Sequence, residues 1–135
     1  MKALAILLFY GWSGALLLLG AVGMFNGRWE IERIFALDLD ALGQERTATL
    51  LNQYRFLKAV EFGFGLFCFI FKDEIFTRRV FNRLFLWVVF LGAGARALSL
   101  LLEGLPHWSL TGITVLEFVS GIVIALHTRR SVGLQ

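Results

Sequence analysis

The chain has 135 residues, of which 58% are hydrophobic and 17% are charged, and its formal net charge is +3. Its mean hydropathy of +0.73 and its long apolar runs exceed what so small a soluble domain could bury, so a lipid bilayer is expected to cover them. The basic residues lie at the ends of those runs and not on one soluble face, which excludes a nucleic-acid-binding protein.

The first apolar segment extends from about Ala3 to Met24. It is longer than the apolar core of a signal peptide, about 7 to 15 residues, and therefore predicts a retained transmembrane helix. Residues 25–49, which follow, mix apolar and charged side chains around Trp29 and Phe35. This pattern predicts either an amphipathic segment on the outer membrane interface or a packed cap over the helix ends.

Three further apolar segments extend from about Leu50 to Phe71, from about Leu84 to Leu102 and from about Leu110 to Leu126. Each is close to the length of about 20 residues that spans a bilayer, and none alternates with the period of a strand. The predicted fold is therefore all-α: a single domain, residues 1–135, in which four antiparallel transmembrane helices form an integral membrane bundle.

The distribution of basic residues predicts how these helices are oriented. The basic residues expected on one side of the membrane are Lys2, Lys72, Arg78, Arg79, Arg83, Arg129 and Arg130. The connection at residues 104–109, on the other side, has no lysine or arginine. The positive-inside rule therefore predicts a multi-pass protein whose two termini are both cytoplasmic.

Small residues in the apolar segments predict close helix contacts, because they let two backbones approach in lipid. They are Gly11, Gly14, Gly20 and Gly23 in the first segment, Gly63 and Gly65 in the second, and Gly92, Ala93, Gly94 and Ala95 in the third. The pattern fits contacts within one chain and contacts in a homo-oligomer equally well.

Five ionisable residues fall inside the predicted helices: Arg55, Lys58, Glu61, Arg96 and Glu117. A charge at the centre of a bilayer costs about 2.5–3.5 kcal/mol unless it is paired or hydrated. At about 1.5 Å per residue, all five lie in the outer half of the membrane, which predicts one polar cluster facing the bundle interior. Arg96 and Glu117 have matching depths on helices joined by a short turn, so these two are expected to interact.

Two hypotheses account for this cluster. In the first, its charges pair with one another and only hold the helices in one arrangement. In the second, it lines a water-accessible cavity, and its surplus of one positive charge binds a carboxylate, a phosphate or a lipid headgroup. His107 and His127 lie at opposite ends of the predicted helices, so no shared metal or haem site and no cofactor are expected.

The residues around the cluster also resemble a known family. The motifs are Asn52 to Leu57 in the second segment, Gly94 to Ser99 and then Glu103 to Pro106 in and after the third, and Glu117 in the fourth. They are similar to small bacterial four-helix membrane proteins catalogued as domain of unknown function 4345. The resemblance implies a bacterial inner-membrane protein with Arg55, Arg96 and Glu117 at its polar centre, and it implies no particular activity.

Together these patterns predict a non-enzymatic integral membrane protein whose polar site binds a small anionic ligand or a lipid headgroup. The first alternative is a structural or accessory subunit of a larger membrane complex, in which the charges only tie helices together. The second alternative is a membrane enzyme acting on a lipophilic substrate, with Glu117 as general acid or base.

Overall fold

The computed structural model describes residues 2–132. Its helices are α1 (Lys2–Ile34), α2 (Gln44–Ile70), α3 (Lys72–Thr77), α4 (Arg79–Leu102) and α5 (Trp108–Val132), with a 3-10 turn at Asp40–Leu42. The described residues contain no β-strand, so the predicted all-α class is confirmed.

Three of the helices are long and apolar enough to span a membrane. They are α1, α4 and α5, whose most apolar stretches have mean hydropathies of 2.0, 2.0 and 1.9. α2 has 27 residues, about 40 Å at about 1.5 Å per residue, so it has the length of a spanning helix. Its charges Arg55, Lys58 and Glu61 lower its hydropathy, and the arrangement with four spans stays a prediction.

Helix α1 extends beyond the predicted end at Met24 and stops at Ile34. Its backbone departs from helical geometry at Asn26, where φ is −115° and ψ is 35°, close to the point where the apolar composition ends. The helix then resumes, so the segment at residues 25–49 comprises the last turns of α1, the 3-10 turn and the start of α2. Gly43, with φ at +76°, allows the backbone turn that precedes α2, because a side chain disfavours that conformation.

The described residues divide into two compact units, one formed by residues 13–66 and the other by residues 2–12 together with residues 67–132. In the first unit, α1 and α2 are antiparallel. Residues with rising numbers in α1 contact residues with falling numbers in α2. These close approaches pair Leu17 with Gly65, Gly20 with Phe62, Gly23 with Lys58, and Gly27 with Tyr54.

In the second unit, α3 packs against α4 and α5. The side-chain amide of Asn82 in α4 donates a hydrogen bond of 2.9 Å to the carbonyl oxygen of Ile75 in α3. The hydroxyl of Thr128 in α5 lies 3.4 Å from the amide oxygen of Asn82. Because carbonyl groups near a helix end lack partners within the helix, Asn82 satisfies one of them and ties α3 to its neighbours.

Seven of the glycines predicted to mark helix contacts fall into two sets. Gly20, Gly23 and Gly65 lie against the facing helix, so closely that an added Cβ atom would come within 3.0 Å of its atoms. Gly11, Gly14, Gly63 and Gly94 have nothing within 4 Å of that position. The first set supports packing within the chain, and the second contributes no such contact.

We predict that Gly20→Ala lowers the free energy of unfolding by about 1–3 kcal/mol, the usual cost of overpacking. The added Cβ would lie 2.7 Å from the backbone nitrogen of Phe62 and 2.9 Å from the carbonyl oxygen of Lys58, and backbone atoms cannot rotate aside. Gly14→Ala, in the same helix, is the matched control and should be neutral or stabilising by up to about 1 kcal/mol. Thermal unfolding in detergent measures both variants, and equal effects would contradict the close approach of α1 and α2.

Candidate functional site

Glu117 in α5 and Arg96 in α4 form an ion pair, with Nε of the arginine 3.3 Å from Oε2 of the carboxylate. The side chain of Glu117 is 10% exposed and that of Arg96 is 35% exposed. Gly92, about one turn before Arg96, leaves room for the carboxylate, because a Cβ atom there would lie 3.1 Å from Oε1 of Glu117. The structure therefore brings together Arg96 and Glu117, the two residues predicted to interact because they lie equally far from the short turn between their helices.

A second group of charges is centred on Lys58 in α2. Its ammonium nitrogen lies 2.9 Å from Oε2 of Glu61, one turn further along α2, and 3.1 Å from Oε1 of Glu30 in α1. The side chain of Lys58 is 6% exposed and that of Glu30 is 1% exposed. A buried charge must be paired to avoid a large desolvation cost, and Lys58 makes two ion pairs on one nitrogen. The pair with Glu61 lies within α2, and the pair with Glu30 links α2 to α1.

Glu30 is the member of this group that sequence analysis missed. The loss of apolar composition places Glu30 in the interfacial segment at residues 25–49, whereas the continuation of α1 after the kink carries it into the buried contact with α2. A signal was nevertheless present in the chain. Gly20, Gly23, Gly27 and Glu30 are spaced by three, four and three residues, which places them on one face of a helix.

Tyr54 borders the Lys58 group. Its ring lies 5.2 Å from the ammonium nitrogen of Lys58, within the range of a cation–π interaction. Its hydroxyl oxygen is buried. Phe35, from the segment after α1, packs edge-on against the Tyr54 ring with centroids 6.2 Å apart. The aromatic pair of Tyr54 and Phe35 thus lies beside the Lys58 group.

The five residues predicted to form one cluster belong to both units of the chain. Lys58 and Glu61 lie in the unit of residues 13–66, whereas Arg96 and Glu117 lie in the other. Arg55, although only three residues before Lys58, is exposed on α2 and is not part of the ion pairs around Lys58.

The group around Lys58 does not carry the expected surplus of one positive charge, because it includes Glu30, an acidic residue that the expectation does not count. Around Lys58, two carboxylates face one ammonium, which gives that group a net charge of −1 when all three are ionised. Lys58 therefore offers no free positive charge to an anion. Of the predicted residues, Arg55 and Arg96 are the cations that could bind one.

The described residues offer no sign of a metal centre. Among residues 2–132, no group of three or more His, Cys, Asp or Glu side chains is arranged to hold a metal ion. His107 Nδ1 lies 2.9 Å from the hydroxyl of Ser109, and the His127 ring packs on Phe76 with centroids 6.1 Å apart. The ion pairs inside the helices include those of Lys58 with Glu30 and Glu61 and the one between Arg96 and Glu117.

The described residues are almost entirely helical and include three apolar helices of membrane-spanning length, which are the features of a helical membrane protein. The family of the chain can be stated more closely. The family model described as Domain of unknown function (DUF4345) matches residues 4–127, so the chain belongs to that family, as its motifs suggested. No curated protein and no solved structure matches the chain.

We predict that Arg96→Leu and Glu117→Leu each lower stability by about 1–3 kcal/mol, less than for a fully buried pair because Arg96 is one-third exposed. Each single change leaves the partner's charge without compensation. The double variant should recover part of the loss, because it removes both charges. Thermal unfolding of the four proteins in one detergent gives the coupling, and losses that simply add would show that the pair is not coupled.

Proposed function

We propose that this chain is a non-enzymatic protein of the bacterial inner membrane in which α1, α2, α4 and α5 each cross the bilayer as an antiparallel bundle. Three of these helices have the length and hydropathy of spanning helices. The fourth, α2, is long enough, and ion pairs compensate the charges of Lys58 and Glu61 within it. Pairing of this kind makes it feasible for a helix with interior charges to lie in lipid.

Both termini are cytoplasmic in this proposal. The support is the basic composition of the connection between α2 and α4, which contrasts with the absence of lysine and arginine from residues 104–109. Cytoplasmic loops of membrane proteins carry the excess of basic residues.

In a Cys68→Ser background, we expect Leu105→Cys to react with an impermeant thiol reagent added to intact cells. Leu105 is 86% exposed in the turn before α5, and that turn faces outward in the proposed orientation. Thr77→Cys, exposed at the end of α3, should react only after permeabilisation. The reverse pattern of labelling would overturn the orientation.

The function proposed for the polar site is to bind a small anionic ligand or a lipid headgroup through Arg96. The observation that carries this proposal is the one-sided pairing of that arginine. Glu117 contacts it at Nε, and a guanidinium has four further N–H donors on its terminal nitrogens. With about a third of the side chain exposed, those donors suit a carboxylate or a phosphate, which accept two parallel hydrogen bonds from an arginine.

A structural or accessory role is the second candidate, and the Lys58 group favours it. One ammonium between Glu30 and Glu61 has its charge more than compensated, so it ties α1 to α2 without recruiting an anion. In this role the protein would bind a partner subunit, and its charges would serve only its own packing.

Native mass spectrometry of the purified chain separates the two candidates. If Arg96 binds an anion, the wild-type protein should retain a small acidic molecule or lipid that Arg96→Gln loses. Arg33→Gln is the matched control, because Arg33 is exposed near the end of α1, and it should retain the molecule. A bound protein subunit in place of a ligand would favour the accessory role, and loss of the molecule from both variants would contradict binding at Arg96.

A further inference from the structure

The start of α4 and the end of α5 border an open groove of about 490 Å³. It is lined by Arg79, Asn82, Arg83, Leu86, Ala125, Thr128, Arg129 and Val132. Three of the lining residues are arginines and none is acidic. The contacts of the described residues include no ion pair for any of the three, so their charges are available to an anion.

The backbone at the start of α4 adds to this positive potential. The helix begins at Arg79, and no side chain caps its first turn. The N–H groups of an uncapped first turn have no partner within the helix and carry partial positive charge. Anions are stabilised at such a position, and here it lies beside two of the arginines.

The groove continues into an apolar one. A second groove of about 310 Å³ shares Arg83 and Leu86 with the first and adds Trp87 and Phe90 further along α4. A molecule filling both grooves would therefore meet arginines at one end and apolar side chains at the other. An amphiphile with an anionic head has this distribution, whereas a free anion would use only the charged end.

We propose that these two grooves bind one anionic phospholipid, with its phosphate among Arg79, Arg83 and Arg129 and an acyl chain along Leu86, Trp87 and Phe90. Arginines at the cytoplasmic ends of membrane helices are common on topological grounds alone. These three differ because they converge from two helices on one groove that continues as an apolar strip. Basic pockets between helices on the cytoplasmic side are known places for anionic headgroups, and this site is independent of the ligand proposed at Arg96.

The test is a lipid titration of the full chain in detergent, followed by native mass spectrometry. Phosphatidylglycerol should bind at least about tenfold more tightly than phosphatidylcholine, since each arginine near an anionic headgroup contributes about fivefold in affinity. Arg83→Gln combined with Arg129→Gln should weaken phosphatidylglycerol binding about 25-fold. Arg33→Gln combined with Arg46→Gln removes the same charge from two exposed arginines outside the groove, and should leave the affinity unchanged.

Two further measurements identify the ligand. Inorganic phosphate should not displace phosphatidylglycerol at equal concentration, and Phe90→Ala should weaken binding of the lipid several-fold. Equal losses in both arginine pairs, or displacement by inorganic phosphate, would overturn the proposal in favour of general charge attraction or a free anion. If the double variant at Arg83 and Arg129 fails to fold in detergent, Arg83→Gln alone tests the site. It should weaken phosphatidylglycerol binding about fivefold, and an unchanged affinity would overturn the site.

Discussion

The ammonium of Lys58 can occupy an apolar interior only because two carboxylates compensate it. An unpaired ammonium there would cost several kcal/mol in lost hydration. Of the two carboxylates, only Glu61 lies on α2 with Lys58. The second carboxylate, Glu30, comes from α1, so the continuation of α1 beyond the kink at Asn26 is required by the charge on α2. The same contact requires the two helix backbones to lie close together, since the lysine side chain spans the gap between them.

Both sets of ion pairs combine a charge pair with a neighbouring glycine. Gly23 lies against the side chains of Lys58 and Glu30, and Gly92 lies against the carboxylate of Glu117. In each case the absence of a Cβ atom leaves the space that the charged groups occupy. A polar contact inside an apolar helix pair needs such space, because charged side chains are long and the helices must still pack without voids.

The helical class and the pairing of Arg96 with Glu117 could be predicted from the sequence, because both follow from regular geometry: the length of apolar runs and the equal distance of two charges from one short turn. Glu30 could not be placed in the same way. Its segment loses its apolar composition before the helix ends, so hydropathy predicts a boundary where the backbone only kinks. The continuation depends on a contact with Lys58, which is distant in sequence. Arg55 was expected in the buried cluster and is exposed instead. Its spacing of three residues from Lys58 places both near one face of α2, but this spacing does not decide which of the two is buried.

The space at Gly23 links two positions that are far apart in the sequence. A Cβ atom at residue 23 would lie 2.4–2.5 Å from the side-chain carbons of Lys58 and from Oε2 of Glu30. A larger residue at position 23 therefore becomes tolerable only when residue 58 is shortened, and a shortened residue 58 removes the cation that Glu30 needs. Positions 23, 30 and 58 are thus expected to change together among relatives of this chain, as a covarying triplet within a family whose exposed positions are free to drift independently.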